Sequence, residues 1–181
     1  MRPDAGMITK LLRDESDERY RYLIRHGNLH FIERESKTLY VELPQIPNVI
    51  VIYRRPVERT SNADKLSLEH RGLKSVPLLE GEEKLKQLNL AHNEIVKIEN
   101  MVSLPNLTFL DISHNRISEM AKMPVFQQLK ALILSKNFIN AIENLDGFPN
   151  LDVLDLSDNR IKKFENLRGL QNLRILNLSN N

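Results

Sequence analysis

The sequence contains no cysteine and only six glycines among its 181 residues. Without thiols the chain has no disulfide, no thiolate zinc site and no cysteine nucleophile, and this absence favours a reducing compartment. Few glycines leave few places where a phosphate group can approach the backbone, and no glycine-rich phosphate loop, GxSxG elbow or HExxH motif occurs. We therefore expect a protein that is not a conventional enzyme and that uses no cofactor.

Long apolar runs and an excess of one charge are also missing. The longest β-rich run, Val49–Tyr53, is far too short to span a membrane, and the N-terminus lacks the apolar stretch of a signal peptide. Basic side chains number 26 and acidic ones 24, so the formal charge of +2 gives no electrostatic reason to bind nucleic acid or an anionic membrane. The sequence predicts a cytoplasmic protein that binds neither.

A nine-residue phrase recurs five times at a constant spacing of 22 residues, beginning at Leu85, Leu107, Leu129, Leu151 and Leu173. Leucine or isoleucine fills its first, fourth and sixth positions, and asparagine always fills the ninth. A fixed period of about 20 to 29 residues with the pattern LxxLxLxxN is typical of leucine-rich repeats. The sequence therefore predicts an α/β leucine-rich-repeat solenoid, with a curved parallel sheet on its concave face and short helical or 3₁₀ turns on its convex face.

Each repeated position is predicted to have one physical role. The leucines point inward and stack into apolar ladders. The ninth-position asparagines can donate and accept hydrogen bonds, so we expect them to satisfy backbone groups where the chain leaves each strand. Two further columns are predicted to fill the core from the far, convex side of each coil: Ile95, Ile117, Ile139 and Ile161, and then Ile98, Met120, Ile142 and Phe164.

The repeat alignment also divides the chain. Residues 63–84 form a degraded first unit, in which Arg71 stands in place of asparagine. Leucine or valine keeps the frame of that unit at Leu66, Leu68, Leu73, Val76 and Leu79. The complete units are 85–106, 107–128, 129–150 and 151–172, and an incomplete unit spans 173–181. Because the last strand lacks a recognisable cap, we hypothesise that the sequence is an N-terminal piece, or a short isoform, of a longer protein.

Residues 1–62 do not repeat and are predicted to form an N-terminal capping extension. Apolar residues recur at helical spacing, and Gly27 is a predicted stop for a helix that begins near Ser16. Further on, Leu39, Val41 and Leu43 alternate with other residues and predict a first strand. The PQIP segment supplies a turn, and Val49–Tyr53 is predicted to be a second strand. We expect this hairpin to cover the open N-terminal edge of the repeat sheet, because an exposed apolar edge invites aggregation.

The residues that face a partner follow from strand geometry. The third and fifth positions of each repeat strand point to the concave face, and neighbouring strands lie about 4.8 Å apart. Apolar side chains there predict one contact strip, with aspartates as a polar rim. The predicted partner-binding residues are Asn89, Phe109, Asp111, Ile133, Val153, Asp155 and Ile175. The competing interpretation is that the N-terminal region, or further chain, folds across this strip.

The eighth position carries a column of histidines, His70, His92 and His114, followed by Lys136 and Asp158. Three histidines at strand spacing suggest a divalent metal site. However, stacked side chains form a row rather than a tetrahedron, and no acidic ligand neighbours them in the column. We therefore predict no metal site and a solvated turn position.

The longer pattern LxxLxLxxNxIxxIxxLxxL, with IEN at Ile98–Asn100 and Ile142–Asn144, resembles the SDS22-like class of leucine-rich repeats over Ala63–Asn181. That resemblance implies an intracellular interaction module. Proteins of this class include phosphatase-1 regulators, a spliceosomal subunit, and ciliary, axonemal and centrosomal components. One alternative is therefore that the chain regulates a protein phosphatase or a similar enzyme.

The segment Asp64–Ile95, with its degraded repeat, GE-containing turn and following HN, is similar to the start of the repeats in leucine-rich-repeat subunits of tubulin polyglutamylase complexes. This similarity implies a noncatalytic scaffold on microtubules that holds a ligase near tubulin tails. It also implies a location at the cytoskeleton, centrosome or cilium. A third, purely structural interpretation is homodimerisation through the open Leu173–Leu178 edge.

Overall fold

The computed structural model describes residues 1–14, 16–99, 101–102 and 104–181, which form two compact units. The N-terminal unit comprises Met1–Ala63 and Pro77–Glu82, and the repeat unit comprises Asp64–Val76 and Glu83–Asn181. The repeat alignment assigns Pro77–Glu82 to the degraded first repeat, whereas the structure groups this segment with the N-terminal unit. The chain thus enters the repeat unit at Asp64, returns to the N-terminal unit for Pro77–Glu82, and continues in the repeat unit from Glu83.

The N-terminal unit contains helices and a four-stranded sheet. Its elements are α1 (Ala5–Asp14), α2 (Glu18–His26), β1 (Asn28–Ile32), β2 (Leu39–Glu42), β3 (Ile50–Tyr53) and α3 (Pro56–Ser61). Strand β4 (Lys65–Ser67) then belongs to the repeats, and β5 (Leu78–Leu79) completes the sheet in the order β1-β2-β3-β5. Strand β5 runs parallel to β3, and the other pairs are antiparallel. Within the described ranges, no helix has the length and apolar character needed to cross a bilayer.

Strands β2 and β3 form the antiparallel pair that the alternating pattern predicts, with Leu39 opposite Tyr53 and Glu42 opposite Ile50. Both strands pair inside the four-stranded sheet, β2 also with β1 and β3 also with β5. Strand β4 is the terminal strand of the separate six-stranded sheet. The capping role of the hairpin stays a prediction.

Asp17 determines where helix α2 begins. Its Oδ1 atom accepts the backbone N–H of Arg19 at 2.9 Å and that of Tyr20 at 3.3 Å, which satisfies N–H groups that lack a partner in the first turn. The Tyr53 hydroxyl donates to Oδ2 of the same carboxylate at 2.7 Å. Burial, together with this hydrogen bond, raises the pKa of Tyr53 to about 12.

Gly27 ends helix α2 and lies against the sheet. A Cβ atom there would come within 2.1 Å of the Val41 side chain and 2.7 Å of the Leu23 carbonyl oxygen. Only glycine permits this approach. The helix thereby packs on the sheet to form the core of the unit, whose buried members are Tyr20, Leu23, Ile24, Ile32, Leu39, Val41, Leu43, Val51 and Tyr53.

The repeat unit contains, after β4, the strands β6 (Gln87–Asn89), β7 (Phe109–Asp111), β8 (Ala131–Ile133), β9 (Val153–Asp155) and β10 (Ile175–Asn177). They form a parallel six-stranded sheet in the order β10-β9-β8-β7-β6-β4. Each residue pairs with the one 22 positions later, so Leu88, Leu110, Leu132, Leu154 and Leu176 form one row. This register confirms the predicted leucine-rich-repeat solenoid.

The ninth-position asparagines form the predicted hydrogen-bonded ladder. The Nδ2 atom of Asn93 donates to the carbonyl oxygens of Leu90 and, in the preceding coil, Leu68, both at 2.9 Å. Its Oδ1 atom accepts the backbone N–H groups of Arg71 and Leu73 at 3.0 and 3.1 Å. Each asparagine therefore satisfies backbone groups of its own coil and of the preceding one, as its amide chemistry predicts.

The convex segments form turns, as predicted, but their described residues lack the helical or 3₁₀ geometry that was expected of them. Among their described residues neither an α-helix nor a 3₁₀-helix is present. Instead, each segment ends in one turn, closed by the N–H of the next leucine and the carbonyl three residues earlier, as from Leu129 to Phe126 at 3.2 Å. A 22-residue coil leaves too little backbone for a longer helical run.

A second ladder of asparagines, which the repeat pattern does not predict, lies on the convex side. Asn144 and Asn166 have positive φ values of 58° and 61°, a conformation that asparagine tolerates better than most residues. Their Nδ2 atoms donate to the carbonyl oxygens of Met120 and Ile142 at 2.6 and 2.7 Å. Asn144, the last residue of the IEN phrase Ile142–Asn144, and its equivalent Asn166 in Phe164–Asn166 are thus structural residues.

Phe164 is an exception to the predicted convex core. Ile98, Met120 and Ile142 are buried, whereas Phe164 is 76% exposed, so the prediction for this residue is wrong. The convex residues of one coil are covered by the coil that follows, and Phe164 lies in the last coil that has a convex segment. For the same reason Leu176 in β10 is 39% exposed instead of buried.

Candidate binding face of the repeat sheet

The concave face carries two rows of side chains that the strand register aligns. The third-position row is Lys65, Gln87, Phe109, Ala131, Val153 and Ile175, and the fifth-position row is Ser67, Asn89, Asp111, Ile133, Asp155 and Asn177. All seven predicted partner-binding residues lie in these rows, half-buried apart from the exposed Ile175. The structure also places Ala131, which the prediction omits, between Phe109 and Val153.

Ile133 occupies the centre of the fifth-position row. It pairs in register with Asp111 on one neighbouring strand and with Asp155 on the other. Because adjacent strands lie about 4.8 Å apart, both carboxylates flank the Ile133 side chain directly. An apolar group between two acidic groups therefore faces solvent at the middle of the sheet.

The asparagines and aspartates of the fifth-position row also hold the turn after their strand, a role that was not predicted from the sequence. The Oδ1 atoms of Asn89 and Asp111 accept the backbone N–H two residues later, on Ala91 and Ser113, at 2.9 and 2.8 Å. The Oδ1 atoms of Asp155 and Asn177 accept the backbone N–H groups of Ser157 and Ser179 at 2.9 and 3.1 Å. Such a bond stabilises the turn after the strand. The sequence signal is the recurrence of Asn or Asp at this position in four of five units.

The central part of the face carries only negative charge. From Gln87 to Asn177, neither row contains lysine or arginine, and the two charged residues are Asp111 and Asp155. Lys65, in register with Gln87 on the terminal strand β4, adds one positive charge at the edge of the sheet. Other basic side chains occur at the second position, where Arg174 pairs with Asp152 at 2.6 Å. The hydrogen bond from Arg174 lowers the pKa of Asp152. The two rows thus combine apolar surface with a small acidic charge.

The histidine column lies at the turns rather than on the concave face. The rings of His70 and His92 stack with centroids 4.6 Å apart, and those of His92 and His114 stack at 3.9 Å, nearly parallel in both cases. Parallel stacked rings direct their nitrogen lone pairs side by side rather than toward one point, so these three side chains do not surround a metal ion. All three residues have φ values from 52° to 56°.

The same column borders an open groove of about 870 Å³ that continues to Lys136, Phe138 and Asp158. Burial lowers the pKa of His114, and the nearby charges of His92 and Lys136 act in the same direction, whereas Asp111 and Asp158 oppose them. His114 is thus favoured in its neutral form. The groove combines basic, acidic and aromatic groups without one dominant charge.

Comparison with protein families gives one clear result. The model described as "Leucine Rich repeats (2 copies)" matches residues 83–122, 127–169 and 149–181, together just over half of the chain. A comparison with curated protein sequences found no match.

Solved structures also share this architecture. Internalin C2 of Listeria monocytogenes is 31% identical with a TM-score of 0.57, over 64% of this chain and 51% of that chain. A leucine-rich-repeat protein of Leptospira interrogans is 26% identical with a TM-score of 0.52, over 70% and 34%. The SNF/U2A′ complex of Drosophila melanogaster has a TM-score of 0.54 over 85% and 79%, but at 19% identity this likeness shows the fold alone. The chain spans about half of the internalin C2 chain and a third of the Leptospira chain.

Proposed function

The chain belongs to the leucine-rich-repeat family, and on that premise we propose that it is a noncatalytic scaffold that binds a partner protein on its concave face. Repeat solenoids of this kind present an extended surface to their partners. The sequence carries none of the nucleophile, phosphate-loop or metalloprotease motifs named above. Binding, rather than catalysis, is the function that these features support best.

The third-position row is the observation that carries this proposal. Phe109, Ala131, Val153 and Ile175 follow one another along this row, and the small Ala131 lies between Phe109 and Val153. Ile133 extends the same apolar surface into the fifth-position row. These side chains are half-buried or exposed on a sheet face, although the inward rows already supply the core. A contiguous exposed apolar surface with a polar rim is characteristic of a protein interface.

We place this scaffold in the cytoplasm, within a cytoskeletal, ciliary or tubulin-modifying complex. The similarity of Asp64–Ile95 to subunits of tubulin polyglutamylase complexes supports this setting. The SDS22-like pattern of the repeats is shared with phosphatase regulators, so a phosphatase catalytic subunit is the alternative partner. The partner's identity separates these two settings.

Affinity capture from ciliated cells with quantitative mass spectrometry tests the proposal. The full chain is compared with a Phe109→Ser/Ile133→Ser variant and with a control, Val125→Ser, which removes an exposed apolar side chain that lies off the concave face. We expect the first variant to lose the captured partner while its melting temperature stays close to that of the wild type. The control should retain the partner.

The captured proteins then distinguish the settings. Tubulin-modifying or axonemal proteins support the cytoskeletal complex, whereas a phosphatase catalytic subunit supports the alternative. Unchanged capture by the Phe109→Ser/Ile133→Ser variant contradicts binding on the concave face. A mass that rises with protein concentration in sedimentation equilibrium would instead indicate self-association through the Leu173–Leu178 edge.

A further inference from the structure

The turn after each repeat strand needs an oxygen atom at the fifth position, but it does not need a charge. Asn89 and Asn177 accept the N–H two residues later at 2.9 and 3.1 Å. Asp111 and Asp155 make the same bond at 2.8 and 2.9 Å. The amide and the carboxylate thus serve the turn equally. The negative charges of Asp111 and Asp155 are additional to what the fold requires.

Ile133 departs from the requirement of the turn altogether. It occupies the fifth position between those two aspartates, and its side chain offers no oxygen to the backbone N–H of Ser135. Its apolar side chain is only half-buried, although the same position holds asparagine or aspartate in the four other units. Local stability therefore does not explain isoleucine here.

The surroundings of Ile133 define a small apolar site with acid on both sides. Ala131 lies on the same strand and face, and its single methyl group separates the larger side chains of Phe109 and Val153. An incoming side chain can therefore pack over Ala131. Since strands lie about 4.8 Å apart, Asp111 and Asp155 are roughly 10 Å apart on either side of Ile133.

Resting on the proposed function, we infer that the partner presents a short segment with one apolar side chain flanked by lysine or arginine. The apolar side chain packs against Phe109, Ala131, Ile133 and Val153. The flanking cations pair with Asp111 and Asp155. Lysine and arginine are absent from both rows between Gln87 and Asn177, and Lys65 lies two strands away from Asp111 at the edge of the sheet. The part of the face around Ile133 is therefore complementary to such a segment and unfavourable to an acidic one.

Selection from a random 12-residue peptide library displayed on phage tests this inference with the full chain. The library is selected on the wild type, on Ile133→Asn and on Asp111→Asn/Asp155→Asn. Each change installs asparagine, which already serves this turn at Asn89 and Asn177, so both variants should fold with a melting temperature equal to or above that of the wild type. The charge-matched control is Glu143→Gln/Asp146→Asn, which removes two charges from exposed residues that lie outside the repeat strands.

We expect the wild type and the control to enrich peptides with an apolar residue and a lysine or arginine within about three positions on each side. Ile133→Asn should lose this enrichment, and the double aspartate variant should keep the apolar preference but lose the basic one. For a synthetic selected peptide, removal of both charges should weaken binding about fivefold at low salt, since exposed ion pairs contribute modestly. The difference should shrink at high salt because the charges are screened.

Three outcomes overturn the whole inference: no enrichment on the wild type, enrichment of acidic motifs, or equal enrichment on Ile133→Asn. Enrichment of purely apolar motifs that require Ile133 would contradict only the cationic flanks and leave the concave face as the binding surface. Partner capture can also distinguish this inference from the proposed function. If capture is lost in Phe109→Ser/Ile133→Ser but unchanged in Asp111→Asn/Asp155→Asn, the concave face binds the partner and the cationic flanks are contradicted. Failure of both experiments removes the proposed function itself.

Discussion

The side-chain oxygen of Asn137 accepts the backbone N–H of Ile117 at 3.0 Å, although 20 residues separate them. The Nδ2 atom of the same side chain donates to Ile112 and Leu134 at 3.0 Å and to Ser135 at 3.3 Å. Asn137 is only 3% exposed, so water cannot replace these bonds. One amide therefore joins two successive coils where the chain turns out of the sheet.

Replacement of Asn137 by alanine should lower the free energy of unfolding by about 3 kcal/mol, because it leaves several buried backbone groups without partners. Asn181→Ala is the matched control. Asn181 makes the same contacts, with Ile161, Leu156 and Leu178, but lies exposed in the last unit, so we expect a loss of about 1 kcal/mol or less. Urea unfolding of both variants measures the difference. Equal losses would contradict the role of burial in the ladder.

The repeat fold could be predicted from sequence because each repeated position has one chemical role. A ninth-position residue such as Asn137 must donate and accept at once, and asparagine does both. The inward leucines are predicted for a similarly simple reason, since alternate residues of a strand point to one side. Periodicity then fixes the register, and with it the two rows of the concave face.

Prediction failed where a residue has two roles or where distant chain decides its surroundings. Asp111 is predicted as part of a polar rim, but its hydrogen bond to Ser113 depends on a turn geometry that the repeat pattern does not reveal. Strand β5 is too short for any periodicity, and its pairing with β3 links residues far apart in the sequence. Burial of Phe164 depends on whether another coil covers it.

Protonation of His114 should destabilise the repeat unit as the pH falls. The pKa of His114 is lowered from its usual value, by burial first and then by His92 and Lys136, so the unfolded chain takes up its proton at a higher pH than the folded chain. Stability from this residue is therefore complete above about pH 6.5 and decreases as the pH falls through that value. It levels off below the lowered pKa of the folded state.

Urea unfolding at several pH values between 7.5 and 5 measures this effect, with His114→Asn as the variant. Asparagine tolerates the positive φ of 52° at this position, so the variant should fold and lose part of the decrease in stability. The control, His30→Asn, removes an exposed histidine that is 3.6 Å from Glu42 in the N-terminal unit. If both variants retain the full decrease, His114 is not its source.

The N-terminal unit should depend on one buried ion pair. Arg54 donates to both carboxylate oxygens of Glu82 at 2.7 and 2.6 Å, and the two side chains are 6% and 2% exposed. Glu82→Gln removes the carboxylate charge that pairs with the buried Arg54 guanidinium and should lower the free energy of unfolding by about 3 to 5 kcal/mol.

The double variant Arg54→Met/Glu82→Leu should unfold closer to the wild type than Glu82→Gln does, because it removes both buried charges together. Urea unfolding of the single and double variants, followed by circular dichroism, gives the comparison. A double variant less stable than Glu82→Gln would show that the lost contacts of the pair, rather than the buried charge of Arg54, dominate the effect.

Phe164 and Phe148 provide a direct test of which convex positions belong to the core. Phe148 is 1% exposed and stacks on Phe126 with ring centroids 6.0 Å apart, whereas Phe164 is 76% exposed. Phe148→Ala should therefore lower the free energy of unfolding by about 3 to 5 kcal/mol, because it opens a cavity. Phe164→Ala should change it by less than about 0.5 kcal/mol, as an exposed substitution. Both values come from urea unfolding of the same chain, and a loss above about 2 kcal/mol for Phe164→Ala would mean that this ring is covered in solution, by a second copy or by another segment.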